Sequence, residues 1–386
     1  MSVYILGGAR TPSGSFLGSL SSVPATRLGA SAIRGALEKT GVDGNKVEEV
    51  FMGHVVQAGT GQAPARQAAL FAELPQSVPC TTVNKVCGSG MKTILMGAQS
   101  IAAGDNKLVV AGGMENMSQA PHLLPGSRMG AKFGATEMKD SMQWDGLWDV
   151  YSDRPMGNCA EECASKYNFT REMQDEFAIS SFKRAQKAAE EGIFSSEITP
   201  VTIKGRKGDT IVESDEGPFK ANFEKIPQLR PAFDKNGSIT AANASTINDG
   251  AAAVVLGGEE YKDSAKFKIV SYAGHAQDPT WFTTAPVEAM KKSLDKANLK
   301  IEDIGLFEIN EAFAVVTMAA MEELKLDREK VNIYGGGVSL GHPIGCSGTR
   351  IVVTLMNAME RNSVKYGMAS ICIGGGEALC LILERL

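Results

Sequence analysis

Gly88-Ser89-Gly90-Met91-Lys92 reads as a glycine turn opening a small-residue helix that runs from Met91 to Ala103. An apolar strand, Lys107-Leu108-Val109-Val110-Ala111, follows, and then a second glycine turn, Gly112-Gly113-Met114-Glu115. The same order returns late in the chain. Cys346-Ser347-Gly348-Thr349-Arg350 opens a helix, Met368 to Ile373 forms a strand, and Gly374-Gly375-Gly376-Glu377 makes the turn. The echo favours two similar halves over coincidence. Outward from it, apolar strand-like runs alternate with helix-length segments, the pattern of an α/β fold. Val3 to Leu6 reads as a first strand, Arg27 to Thr40 as a helix, and Val47 to Val55 contains a strand. A further helix is expected to begin near Ala63. The stretch from about Ser118 to Gly237 breaks the alternation. It holds two of the three tryptophans, many charges and a long polar helix over Arg171 to Glu191, so it reads as an insertion.

The 386 residues are enough for two domains, and the 42 glycines suit many tight turns. A formal net charge of −5 favours neither nucleic acid nor an anionic membrane as partner. No apolar run approaches the roughly 20 residues that cross a bilayer. The seven cysteines are scattered, odd in number and lack a CxxC pair, which argues against a disulfide framework or a metal cluster. A reduced compartment follows, and the expected location is the cytoplasm.

Four segments carry chemistry. In Val83-Asn84-Lys85-Val86-Cys87-Gly88-Ser89-Gly90, Cys87 precedes a helix start, where unpaired N–H groups stabilise a thiolate. It reads as a nucleophile or as a buried structural cysteine. His342, within Gly335-Gly336-Gly337-Val338-Ser339-Leu340-Gly341-His342-Pro343, is ringed by glycines that suit a site better than a core. Cys372 ends a strand at the Gly374 turn. Asn310 ends another, Ile304 to Ile309, with an amide able to donate a hydrogen bond or hold a water; Glu311 beside it could instead favour a helix start.

Together with Gly8-Ala9-Arg10-Thr11-Pro12, Gly61-Gln62-Ala63-Pro64-Ala65-Arg66, Gly112 to Ser118 and Thr240 to Ala253, these segments follow one another in the order of a known family. The chain resembles the thiolases over nearly its whole length, most closely the acetyl-CoA acetyltransferase branch. The resemblance implies duplicated βαβαβαββ halves in a five-layer α-β-α-β-α core. Residues 1–117 and 238–262 would form one half and 263–386 the other, with a loop domain over 118–237 that covers coenzyme A and helps assemble a homotetramer. It implies that Cys87 is the acylated nucleophile, His342 takes its proton, and Cys372 exchanges a proton with the acetyl methyl carbon. His342 and a water on Asn310 would hold the enolate oxygen; the N–H groups of Cys87 and Gly374 would hold the tetrahedral oxyanion.

Acetyl-CoA and acetoacetyl-CoA are the implied substrates, with no permanently bound cofactor. Ser245 matches a pantetheine contact, Met156 and Phe313 match tunnel positions, and Lys220 and Lys225 fall near the nucleotide end or are plain surface charges. Three positions depart from the family. Pro155 stands where many relatives have histidine, leaving chain-length preference open between the short-chain branch and a broader 3-ketoacyl-CoA thiolase. Phe182 replaces a tyrosine that holds potassium in some relatives, so no such site is expected. The ending Gly374-Gly375-Gly376-Glu377 differs from the commoner forms.

Overall fold

The computed structural model describes residues 2–386. Its centre is one long sheet assembled from two similar halves. In the first, β1 (Tyr4–Arg10) leads to α1 (Ala25–Thr40), β2 (Glu49–Gly53), α2 (Pro64–Phe71), β3 (Cys80–Val83), α3 (Ser89–Ala103) and β4 (Leu108–Asn116). A long excursion carrying α4 (Met156–Tyr167) and α5 (Arg171–Glu190) intervenes before β5 (Asn248–Gly257). The second half runs β6 (Phe267–Ala276), α6 (Ala285–Ala297), β7 (Leu306–Ile309), α7 (Ala314–Leu324), α8 (Ile344–Arg361), β8 (Tyr366–Ile373) and β9 (Glu377–Arg385). Strand order across the sheet is β7-β8-β9-β6-β1-β5-β4-β2-β3, and the halves meet where Tyr4 and Ile5 pair with Lys268 and Phe267.

The duplication extends to the pairing pattern, although Gly112-Gly113-Met114-Glu115, read from sequence as a turn, continues as strand inside β4, paired with Gly250 to Ala253. β2 is parallel to β3 and β4, while β4–β5 and β5–β1 are antiparallel. β7 is parallel to β8, while β8–β9 and β9–β6 are antiparallel. Even the irregularity repeats, with register shifts between Ile5 and Gly7 and between Ile269 and Ser271. The halves differ at two places. The counterpart of β3 shrinks to one bridge, Val331 with Phe307. The tight turn Gly374–Gly376 that joins β8 to β9 corresponds to the whole excursion between β4 and β5.

The layers follow from which faces are apolar. α1 and α2 cover one face of the first half through Leu28, Ile33, Ala65 and Ala68, packed on Val50, Val110 and Val255. α6 and α7 cover the far face of the second half. α3 and α8 lie between the halves, with Met91, Ile94, Ile351 and Leu355 packed on Val254, Leu256, Ile371 and Leu381. Five layers result. α8 is buried from Ile344 to Met359, as a helix covered on every side must be. α1 begins at Ala25, two residues before the sequence reading, because Pro24 pre-sets the entry, and it ends at Gly41 with φ 67°.

The two central helices cross at glycine. A Cβ at Gly90 would stand 2.8 Å from Thr349 N, and one at Gly348 would strike Met91 N. Thr349 Oγ1 donates to Gly90 O at 2.9 Å across the same crossing. The amino-terminal ends of α3 and α8 are thus drawn together, and the residues just ahead of each helix become neighbours.

Candidate active site

Cys87 lies two residues before α3 and His342 two residues before α8, so both stand in the loops that enter the two central helices. The Cys87 loop is tightly wound. Val86 N donates to Asn84 Oδ1 at 3.0 Å, Gly88 N to Lys85 O at 3.1 Å and Ser89 N to Val86 O at 3.0 Å. Val86 itself sits at φ 46°, a costly conformation for a β-branched residue and one that clusters at functional sites.

Cys87, His342, Cys372, Gly374, Ser245, Met156 and Phe313 all line one apolar cavity of about 240 Å³. Asn310 stands behind its wall, with Nδ2 3.4 Å from His342 Nε2 and with Oδ1 unpartnered. Phe313 is held edge-on by Phe233 and Phe282, at centroid distances of 6.0 and 6.2 Å. Lys220 and Lys225 do not reach this cavity. They line a second one of about 300 Å³ together with Phe182, Asn222 and Leu229. Thr246 borders both, and a shallower groove over Ser245, Ala241 and Lys220 connects them. The route from the Cys87 sulfur to the lysines is therefore a narrow apolar passage opening towards cations, the profile of a ligand with a thiol arm and an anionic end. Phe182 presents a ring to this second cavity, packed edge-on against Phe223.

Burial raises the Cys87 thiol to about 11; the N–H groups of Gly374 and Cys87, which face the sulfur, oppose the shift, and Glu115 adds to it. Both N–H groups are directed at the sulfur, next to where an attacked carbonyl would develop its oxyanion. Cys372 is held well above the ordinary thiol range by burial and by its neighbour Cys87, so it keeps its proton at rest. His342 is lowered to about 3, first by burial and then by the Arg350 charge, and so is neutral.

Its tautomer is set by Ser347. The Ser347 hydroxyl gives its proton to Pro343 O at 2.9 Å and so accepts from His342 Nδ1 at 2.6 Å. Nε2 is left as the free base, facing Asn310.

Glu311 does not open a helix; α7 starts at Ala314. Its buried carboxylate instead accepts from Ser181 Oγ at 2.7 Å, Asn332 Nδ2 at 2.8 Å and Val338 N at 3.2 Å, pinning the glycine-rich segment ahead of His342. Ser347, Leu147 and Gly146 also belong to the site and were not singled out from sequence. Ser347 sits five residues past His342, a spacing that could have exposed it. Leu147 and Gly146 come from a π-helical turn, Gln143–Leu147, whose place depends on a long loop.

The repeat also shows what the first half lost or never had. In the place of Asn310 it carries His54, and in the place of Cys372 it carries Glu115, buried with His54 Nε2 3.2 Å from Glu115 Oε1. Glu115 is spent on structure, accepting from Val55 N, Val56 N and Gly345 N.

Comparison with known proteins agrees with this geometry. The thiolase N-terminal domain model matches residues 3–260 and the thiolase C-terminal domain model matches 263–385. The chain is 52% identical to acetyl-CoA acetyltransferase 2 of Arabidopsis thaliana, covering 100% of this chain and 97% of that protein. It is 51% identical to the mitochondrial acetyl-CoA acetyltransferase of Mus musculus, covering 100% of this chain and 91% of the other. The crystal structure of Acat5 thiolase from Ascaris suum in complex with coenzyme A superposes with a TM-score of 0.95 at 44% identity, with both chains covered completely. By repeat, by site and by these matches, the chain belongs to the thiolase family.

Proposed function

We propose that this thiolase is an acetyl-CoA C-acetyltransferase, joining two acetyl-CoA into acetoacetyl-CoA and CoA, reversibly, through an acetyl-Cys87 intermediate. The observation that carries the reading is the convergence of Cys87, His342 and Cys372 on one cavity from three distant segments, with Asn310 behind it. His342 Nε2 takes the Cys87 proton as the sulfur attacks the thioester carbonyl. The tetrahedral oxyanion rests on the N–H groups of Cys87 and Gly374. When it collapses, the carbon–sulfur bond to CoA breaks and CoA leaves with the proton of Cys372, while His342 keeps the Cys87 proton on Nε2 until Cys87 is released.

In the second half-reaction Cys372, as thiolate, removes a proton from the methyl of the incoming acetyl-CoA, and the enolate carbon attacks acetyl-Cys87. His342, still carrying the Cys87 proton on Nε2, and a water on the Asn310 amide stabilise the enolate oxygen. A thiol whose pKa is held high is a strong base once ionised, which suits Cys372 to the condensation, and being protonated at rest it holds the proton that the carbon needs in the cleavage direction.

Coenzyme A would thread past Met156, Phe313 and Ser245 towards Lys220 and Lys225, under cover of residues 118–237. It binds as substrate; no resident cofactor or potassium ion takes part. Leu147, Met117 and Ile344 close the acyl end of the cavity and leave room for a short chain, which supports the short-chain branch over the broader 3-ketoacyl-CoA thiolase. The expected setting is the cytoplasm and the expected assembly a homotetramer.

The test is intact-protein mass spectrometry after mixing with acetyl-CoA. One acetyl group should appear on Cys87 and vanish in Cys87→Ala. An acetyl group elsewhere, or none on folded protein, would sink the reading.

A further inference from the structure

We infer that the Lys85–Glu377 ion pair is a positioning latch that holds together the two loops whose N–H groups form the oxyanion site. The inference rests on the function proposed above and concerns Glu377, the last residue of the Gly374-Gly375-Gly376-Glu377 ending. Lys85 Nζ lies 2.5 Å from Glu377 Oε2, and the two residues are 292 positions apart. Lys85 is two residues before Cys87, and its own carbonyl receives the Gly88 N–H that closes the nucleophile turn. Glu377 begins β9 directly after Gly374-Gly375-Gly376, and its backbone is fixed on both sides by pairing with Ile373 and Ala276.

Between the loops, packing is close but apolar: Val86 Cγ1 is 3.7 Å from where a Gly374 Cβ would lie, and a Cβ at Gly88 would strike Ile373. Among the described residues, no other hydrogen bond or ion pair joins 84–88 to 373–377, apart from the Gly374 N–H directed at the Cys87 sulfur. One oxyanion donor comes from each loop, so their spacing is set across this joint. The latch is part-exposed, with side chains 26% and 38% accessible, so salt reaches it.

The test is a double-mutant cycle read by single-turnover acetylation of Cys87 at saturating acetyl-CoA. Glu377→Gln and Lys85→Gln should each slow acetylation about fivefold, the kinetic equivalent of one part-exposed ion pair. The acetyl-CoA concentration giving half-maximal rate should not move. The double variant should be no slower than either single one. The reversed pair, Lys85→Glu with Glu377→Lys, should recover most of the rate, and added salt should slow the wild type but not Glu377→Gln. Wild-type rates in the single variants, or losses that multiply in the double, overturn the latch while leaving the acetyl-enzyme intact. A wild type that forms no acetyl-Cys87 overturns the functional reading and this inference with it.

Discussion

Neither member of the Cys87–His342 pair is charged at rest near neutral pH: the thiol titrates at about 11 and the imidazole at about 3. Acetylation should therefore show no histidine limb. Its rate at saturating acetyl-CoA should vary less than about twofold between pH 5.5 and 8.5, whereas an ordinary imidazole base would lose tenfold per unit below about 6.5. The same shift affects folding. The unfolded imidazole takes a proton below about 6.5 and the folded one does not until about 3, so stability falls as pH drops through that window, by up to about 1.4 kcal/mol per unit. Urea midpoints for His342→Asn should decline less steeply between pH 6 and 4 than those of the wild type.

Ser347→Ala removes the acceptor that fixes Nδ1–H. We expect a loss of about tenfold or more in kcat with KM for acetyl-CoA unchanged, and Ser347→Thr should restore part of it. Asn310→Ala should cost about a hundred- to a thousandfold in kcat. At this scale the sequence reading named the residues that the fold gathers at the cavity and missed those that orient them. Cys87 and His342 sit in glycine-rich surroundings that mark them from a distance. Ser347 looks like any serine in a small-residue helix until the fold brings it under the imidazole.

At the scale of elements, the site depends on how closely α3 and α8 approach. Gly348→Ala would drive a methyl group into the backbone at Met91 N, a group that cannot step aside as a flexible side chain does. We expect about 2–3 kcal/mol of destabilisation by urea unfolding, with kcat reduced in the surviving folded fraction because His342 moves relative to Cys87. The glycine turns at 88–90 and 374–376 were legible from their glycines, but the echo expected at 112–115 is strand inside β4. The loss of one strand in the second half was not legible. Val331 still bridges to Phe307, but nothing in the local pattern says that pairing stops after one residue. Nor did Glu311 show its use, since its three partners come from residues 181, 332 and 338.

Across the whole molecule, the excursion between β4 and β5 stands where the second half needs only three glycines. It ties back to the core through buried charge. Arg10 at the end of β1 meets Glu197 at 2.5 Å and grips Asp215 with both Nη atoms, at 2.7 and 2.9 Å. Farther out it exposes apolar side chains, among them Met129 at 82% and Phe133 fully accessible, which supports the proposed assembly of copies. Sedimentation should give a tetramer for the wild type and a smaller species when Met129 and Phe133 are both replaced by serine.

Because α3 and α8 are buried between the halves, the reacting groups exist only where the two halves share a layer. During synthesis the nucleophile emerges early, while its base, its acid and the second oxyanion donor are added near the end. A nascent chain stopped short of His342 holds the thiol without the base, the acid or the second N–H donor that the folded site brings to it. The order of translation thus leaves an unfinished chain without an assembled site.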